Sequence, residues 1–530
     1  MTLHNPAEGE ITDWSAAEIA RRIQHREVSA REVCQAHIDR CQAVNPKLNA
    51  LVWTRYEEAL REAAAIDDRL ARGETVGPLA GVPVTVKECF FFEGSPTCVG
   101  LAALKDEFVD HYGHLVEDLR ESGAILLGKT NVPQLMLWFE CDNPVYGRTS
   151  NPWSLEHTPG GSTGGEAAII AAHGSPLGLG TDLGGSIRVP SAWCGISGLK
   201  PTSERLTNQG MLNNFGWLNE ITATPGPMAR SVEDLDLAMR TLVAQALQNT
   251  LDGPDEPWKD FRAVDLRNLR VGVCRDDNNI APSPAISRAL HEAVAVLRDQ
   301  GAEIHEVKFP PGANILQTYS SIVQSDGGEA LRRLAAGSKL DWRVDRILTI
   351  GNLGPFSRAA VVLALRLFGQ PQLAHLIASG GKRTGELMKV AIAARNQMAQ
   401  SIRQTMENHQ IAAILCPPIA VPAPQHGKPI DLLPTASYAF LANLLGWPAG
   451  VVPVTTVREN EQNSRPKSRD IVLKQAAAVD AGSVGLPVGV QVLAPPWRED
   501  VVLAVMAVIE RGCPRPKLPA DRLAALAKDG

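Results

Sequence analysis

Residues 178–190 read GLGTDLGGSIRVP, a short apolar run followed by two adjacent glycines, Ser186 and a basic residue. A dinucleotide-binding loop needs G-x-G-x-x-G directly after a strand. This segment spells G-x-G-x-x-x-G, so the turn that cradles a pyrophosphate does not carry over. Glycines beside the serine serve a different purpose. They let the backbone N–H groups of Leu183, Gly184, Gly185 and Ser186 turn inward together, the arrangement an oxyanion hole needs. Asp182 and Arg188 bracket the loop and are expected to pair across it in a structural role.

Upstream, Thr158–Glu166 reads TPGGSTGGE and runs into the apolar stretch Ala167–Ala172. Thr163 and Glu166 fit an S/T-x-x-E capping box, which places Ser162 just outside a helix N-terminus. A plain glycine-rich turn would account for this loop equally well. Residues 160–164 also match G-x-S-x-G, but a nucleophile elbow needs a strand directly before its serine. Asn151–Pro159 holds two prolines and few β-formers, so no elbow is expected. Further upstream, Gly81–Glu88 (GVPVTVKE) alternates, with Val82, Val84 and Val86 on one strand face and Thr85 and Lys87 on the other. Taken alone, Lys87 reads as a lysine whose stem packs while its ammonium reaches water.

In this order, the lysine strand, the G-G-S-x-G-G loop and the T-D-x-G-G-S-I-R-x-P segment resemble the amidase signature family, and within it the fatty acid amide hydrolase branch. Ser162 and Ser186 stand 24 residues apart, which fits the family. The similarity continues through Leu177–Thr202, GPMAR at 226–230, SDGG at 325–328, WPAGVVPVTTV at 447–457 and SVGLPVGVQV at 483–492, and so covers most of the chain from about residue 75.

Residue by residue, the resemblance implies Ser186 as nucleophile, Ser162 as bridging serine and Lys87 as base, with a cis peptide bond between Gly161 and Ser162. It places the backbone carbonyl of Met136 near the scissile amide and brings Thr181 and Leu183, with Ser162, to the substrate. Leu135 departs from the small polar residue usual in the mammalian branch. No metal or cofactor is implied. The chemistry is coherent in its own right: a serine hydroxyl needs a base within hydrogen-bond reach. A lysine, titrating near ~10.4 when free, serves as base only where burial lowers its pKa. The implied fold is α/β, a large, mixed, mostly parallel twisted sheet covered by helices on both faces.

The bulk numbers agree. The 530 residues are 44% hydrophobic and 21% charged, with a formal charge of −6. No global positive field exists to hold nucleic acid. Nine cysteines without any C-x-x-C pair favour reduced thiols and a cytoplasmic address. Met1–Glu10 lacks the basic and apolar regions of a leader, and no uncharged apolar stretch reaches ~18 residues. The twelve histidines form neither H-x-x-x-H nor H-E-x-x-H, which disfavours a metal hydrolase.

The pattern over Ser15–Glu74 is helical. Short β-like runs follow at Gly81–Val86, Ala124–Leu127, Pro176–Gly180, Leu269–Cys274, Ala412–Cys416 and Val488–Leu493, separated by helix-like segments. One amidase domain is expected over 1–530, made of an N-terminal helical segment (1–75), a catalytic core (76–330), a helical cap insertion (340–400) and a C-terminal part of the core (401–530). Arg458–Arg469 (RENEQNSRPKSR) reads as an exposed loop.

Within the insertion, Asn352–Arg383 holds the apolar run Ala359–Leu365 and breaks at Gly369–Pro371, which predicts two short helices. Periodicity alone favours a buried hairpin. The family resemblance implies instead a cap that touches a membrane peripherally and admits an acyl chain. The expected partner is a small amide with an apolar acyl chain; nucleic acid is not expected, and room for a homodimer remains. Competing readings are a peptide or aryl-acyl amidase, the glutaminase component of an amidotransferase, and a silent scaffold of the same fold.

Overall fold

The computed structural model describes residues 10–527 apart from 214, 215, 217, 250–255, 384, 463 and 464. The leader reading of Met1–Glu10 therefore lies outside the described residues except at Glu10. In chain order the strands are β1 (Leu51–Thr54), β2 (Pro83–Lys87), β3 (Ile125–Thr130), β4 (Asp142–Asn143), β5 (Gly147–Arg148), β6 (Leu177–Asp182), β7 (Ser197–Lys200), β8 (Thr224–Ala229), β9 (Arg270–Val273), β10 (Glu303–Glu306), β11 (Ala413–Cys416), β12 (Ala449–Thr456) and β13 (Pro487–Leu493). All but the β4–β5 hairpin join one sheet in the order β1-β3-β2-β6-β8-β7-β12-β13-β11-β9-β10.

The six anticipated strands are β2, β3, β6, β9, β11 and β13, each displaced by three residues at most. The sheet is mixed, as expected, but it is not mostly parallel. Parallel pairing is confined to β3-β2-β6 and β11-β9-β10. The other pairings run antiparallel, and all but β11-β13 involve β1, β7, β8 or β12, strands that periodicity did not disclose. Their composition explains why. β8 is TPGPMA and β7 is SGLK, poor in β-formers, while β12 carries Pro453 at a register shift, where a strand tolerates it. β1 interrupts the N-terminal segment between the helices Ala30–Leu48 and Tyr56–Ala71, so that segment is not wholly helical.

Both faces are covered. Gly198 pairs with Val451 and Leu199 with Gly450. A Cβ on Gly198 would meet Ser191 Oγ at 2.3 Å, and one on Gly450 would meet Met506 Sδ at 2.1 Å. Successive residues face opposite sides of a sheet, so the helices Arg188–Cys194 and Glu499–Gly512 lie on opposite faces.

The insertion is helical: Trp342–Gly351, Pro355–Leu367, Pro371–Ser379 and Glu386–His409, with the anticipated break between the second and third. The buried-hairpin reading does not hold. Pro355–Leu367 has no buried residue and packs chiefly on Pro371–Ser379, leaving Phe356 91%, Leu367 78% and Phe368 79% exposed. Among the described residues, no single helix is long and apolar enough to cross a membrane.

Arg458–Arg469 is exposed over most of its described residues, as expected, but two of its charges are anchored. Glu461 is buried against the Arg288 guanidinium, and Arg465 pairs with Asp480 at 2.6 Å while donating to the carbonyls of Ala281 and Ala420.

Candidate active site

Two neighbouring parallel strands build the floor of the site: β2 ends at Lys87 and β6 ends at Thr181 and Asp182. Lys87 Nζ donates to Ser162 Oγ at 2.8 Å and to Thr181 Oγ1 at 2.8 Å. The side chain is fully buried, which removes the reading of a solvated ammonium. It has no ion-pair partner among the described residues. Burial pushes its pKa below the ordinary lysine value, and the more distant Cys89, Cys141, Asp182 and Glu166 only partly oppose this.

Ser162 follows a cis peptide bond after Gly161. Only glycine fits at 161, because a Cβ there would lie 2.4 Å from the Trp138 carbonyl. The helix Gly164–Ala171 begins where the sequence indicated, but the capping box is absent. Thr163 Oγ1 donates instead to the Thr181 carbonyl at 3.2 Å, and the Glu166 carboxyl turns inward toward the hydroxyls of Thr85 and Thr130. In this fully buried position desolvation pushes Glu166 up to about 8. Glu166, expected only as a cap, is thus a buried acid held by hydroxyls of β2 and β3, with its pKa raised by burial.

Ser186 is half-buried just before the helix Arg188–Cys194. The expected Asp182–Arg188 pair forms at 2.9 Å with both side chains fully buried. Burial alone would raise the Asp182 pKa, but the Arg188 guanidinium and the Asn443 amide hold it well below the usual carboxylate range. This carboxylate claims one of the four expected oxyanion donors: the Gly185 N–H donates to Asp182 Oδ1 at 2.7 Å. The N–H groups of Leu183, Gly184 and Ser186 have no acceptor among the described residues. The Thr163 N–H meets the Ser186 carbonyl at 3.2 Å, joining the two serine loops. No hydrogen bond links the hydroxyls of Ser162 and Ser186 among the described residues, a looseness common in sites without substrate.

Ser186 opens onto a cavity of about 130 Å³. Leu183, Gly184 and Met136 are among its lining residues, whereas Lys87, Ser162 and Thr181 are not. Thr181 therefore serves Lys87, not the cavity surface. Leu135 is fully buried and also absent from the lining, so its departure from the mammalian pattern concerns packing. Sequence reasoning missed the aromatic walls. Tyr319 and Phe440 stack with centroids 4.2 Å apart, Phe139 stacks on Phe440 in turn at 6.4 Å, and Trp138 also lines the cavity. The only signal was the WF pair directly after Met136 and Leu137. No charged side chain lines the cavity among the described residues.

A buried lysine hydrogen-bonded to a serine, beside a glycine-rich donor loop on a mixed α/β sheet, defines a hydrolase without metal ligands among its assembled residues. A family model described as Amidase matches residues 32–503, and the chain belongs to this amidase (amidase signature) family of amide-cleaving hydrolases. It is 34% identical over 509 residues to fatty-acid amide hydrolase 1 of Sus scrofa, covering 93% of this chain and 85% of that protein. It is also 32% identical over 519 residues to a glutamyl-tRNA(Gln) amidotransferase component of Salinispora tropica, covering 94% and 97% respectively. A solved fatty acid amide hydrolase superposes with a TM-score of 0.84 at 26% identity, covering 98% of this chain and 87% of that one.

Proposed function

We propose that this amidase hydrolyses carboxylic amides bearing an apolar, fatty-type acyl chain, through an acyl-enzyme on Ser186. The carrying observation is the buried Lys87 nitrogen, 2.8 Å from Ser162 Oγ and without an ion-pair partner among the described residues. Neutral Lys87 takes a proton from Ser162 as Ser162 takes one from Ser186, whose oxygen bonds to the amide carbonyl carbon. The N–H groups of Leu183, Gly184 and Ser186 receive the negative charge that develops on the carbonyl oxygen. The relay then runs backward: Ser162 protonates the departing nitrogen, the C–N bond breaks, and the amine leaves. Water, deprotonated along the same route, releases the acid and restores Ser186.

The uncharged cavity and the exposed apolar cap favour a lipid-like acyl chain and peripheral membrane contact through residues 352–383. Similarity to the fatty acid amide hydrolases supports the same reading. A glutaminase would need a partner for the charged end of glutamine, and the cavity walls offer none. The test is a fluorophosphonate probe followed by peptide mapping, paired with a panel of acyl amides and free glutamine. Labelling should fall on Ser186 and vanish in Ser186→Ala, and long acyl amides should turn over while glutamine does not. Wild-type labelling rates in Ser186→Ala would defeat the assignment.

A further inference from the structure

The GPMAR segment at 226–230 runs along β8 and ends at Arg230, on a second cavity of about 780 Å³. Arg40, Arg515 and Lys517 line it as well, and it shares no lining residue with the catalytic cavity. Arg230 is buried, and its four hydrogen bonds all go to backbone carbonyls, those of Thr12, Trp14, Ile170 and Ser175. Carbonyl dipoles hold a guanidinium in place without cancelling its charge. Arg515 has neither a hydrogen bond nor an ion pair among the described residues. The nearby acids are committed elsewhere. Glu10 pairs with Arg40, and Asp13 meets His173 Nδ1 at 2.7 Å. Asp234 and Glu510 accept from the backbone N–H groups of Ala17 and Val232, and among the described residues neither forms an ion pair with Arg230 or Arg515.

Burial pushes Arg230 down to about 10, and the charges of Arg515 and Arg40 push the same way against Asp234 and Asp13. The three guanidiniums are therefore close enough to repel one another. Burial also lowers His173 below its ordinary value, so it adds no charge at pH 7. Among the described lining residues Arg40, Arg230, Arg515 and Lys517 then outweigh Glu10 and Asp13 by two positive charges. We propose that this cavity binds a phosphate monoester with a small apolar body, Arg515 supplying a fork of N–H donors and Arg230 a fixed charge beside it. Such an ester carries about −1.5 to −2 charge at pH 7, which matches the excess. A guanidinium meets two of its oxygens at once. Trp153, Leu518 and Leu523, also on the lining, offer apolar surface to the body. The carbonyl end of the helix Arg188–Cys194 reaches this cavity too and would repel an anion. Trp153 Nε1 blunts it by donating to the Cys194 carbonyl at 2.9 Å.

Titration calorimetry with phenyl phosphate tests the site, with inorganic phosphate and phenol as probes of the head and the body alone. Phenyl phosphate should bind once per chain, more tightly than either part, and more weakly as salt rises. Arg515→Gln should weaken it by roughly ten- to a hundredfold. Arg515→Lys keeps the charge without the fork and should fall in between. Amide turnover should stay at the wild-type rate in both variants, because Arg515 lies outside the catalytic cavity. If Arg515→Gln does not fold, Lys517→Gln, at an exposed position, carries the same readout with a smaller loss. Vesicles of phosphatidylcholine with and without phosphatidic acid separate two sources of the phosphate. Arg515-dependent retention of the phosphatidic acid vesicles alone assigns it to a lipid head group; without that retention the ligand is a soluble ester. No binding of phenyl phosphate, no gain over inorganic phosphate, or unchanged affinity in the folded Arg515→Gln variant overturns the proposal.

Discussion

The α-carbon of Gly184 faces the hydroxyl of Tyr319 so closely that an added Cβ would lie 2.4 Å from it. The stacked ring of Phe440 is 3.1 Å from the same point, so neither aromatic has an easy retreat. A methyl at 184 must therefore displace either the aromatic wall or the donor loop. Gly184→Ala should fold and lose roughly 10–100-fold in kcat. Adding Tyr319→Phe removes the clashing hydroxyl and should restore part of the loss. Additive losses in the double variant would place the cost elsewhere.

Lys87 acts as a base only when neutral. Burial lowers its pKa, so wild-type kcat/KM should rise with pH through that lowered value. In Lys87→Ala the rate should fall by about 10²–10⁴ at pH 7, with its rise displaced to higher pH where hydroxide substitutes. Near-normal kcat at pH 7 in this variant would return Lys87 to a packing role.

Glu166 makes a prediction about stability. Its folded pKa of about 8 lies above the ordinary 4.5, so the native state holds a proton that the unfolded chain gives up in between. The stability it contributes is full below about pH 4.5 and is lost as pH rises through about 8. Glu166→Gln, a permanent mimic of the neutral acid, should flatten the fall in melting temperature over that window and keep most amidase activity. A variant that melts along the wild-type pH profile would show Glu166 to be ionised.

The cap is tested where it is bare. Leu363, Leu367 and Phe368 are exposed, so replacing all three with serine should leave the fold intact. Liposome co-sedimentation should weaken, and the gain per acyl methylene, about 0.8 kcal/mol where each is buried, should shrink. Short-chain turnover should stay near the wild-type rate. Unchanged liposome binding in the folded variant would remove the cap from the membrane.

The parts of the site legible in the sequence are those whose chemistry requires particular residue types at short range. Lys87 at a strand end, Ser162 before a helix and Ser186 in a glycine-rich turn all fell where their local patterns indicated. What stayed hidden depends on distant chain segments. Tyr319 and Phe440 meet across 121 residues of sequence, and no local pattern marks them as the walls of one cavity. Glu166 illustrates a subtler limit. Its spacing from Thr163 satisfied the capping rule, yet the hydroxyls of Thr85 and Thr130 on two other strands drew its carboxyl inward. Strand direction was illegible for a similar reason, since β7 and β8 owe their place to the pairing on either side of them, not to their own composition.

The insertion of β13 between β12 and β11 has a consequence for the chain as the ribosome makes it. Lys87, Ser162 and Ser186 all leave the exit tunnel early, but the Arg188 side chain that anchors their donor loop waits for Gln491, its hydrogen-bond partner on β13. At about 5–20 residues per second, that partner follows some 15–60 s later. A nascent chain thus carries its reactive groups long before the last strand locks them, and chains that stop short of β13 are expected to emerge with their serines in place but unarmed.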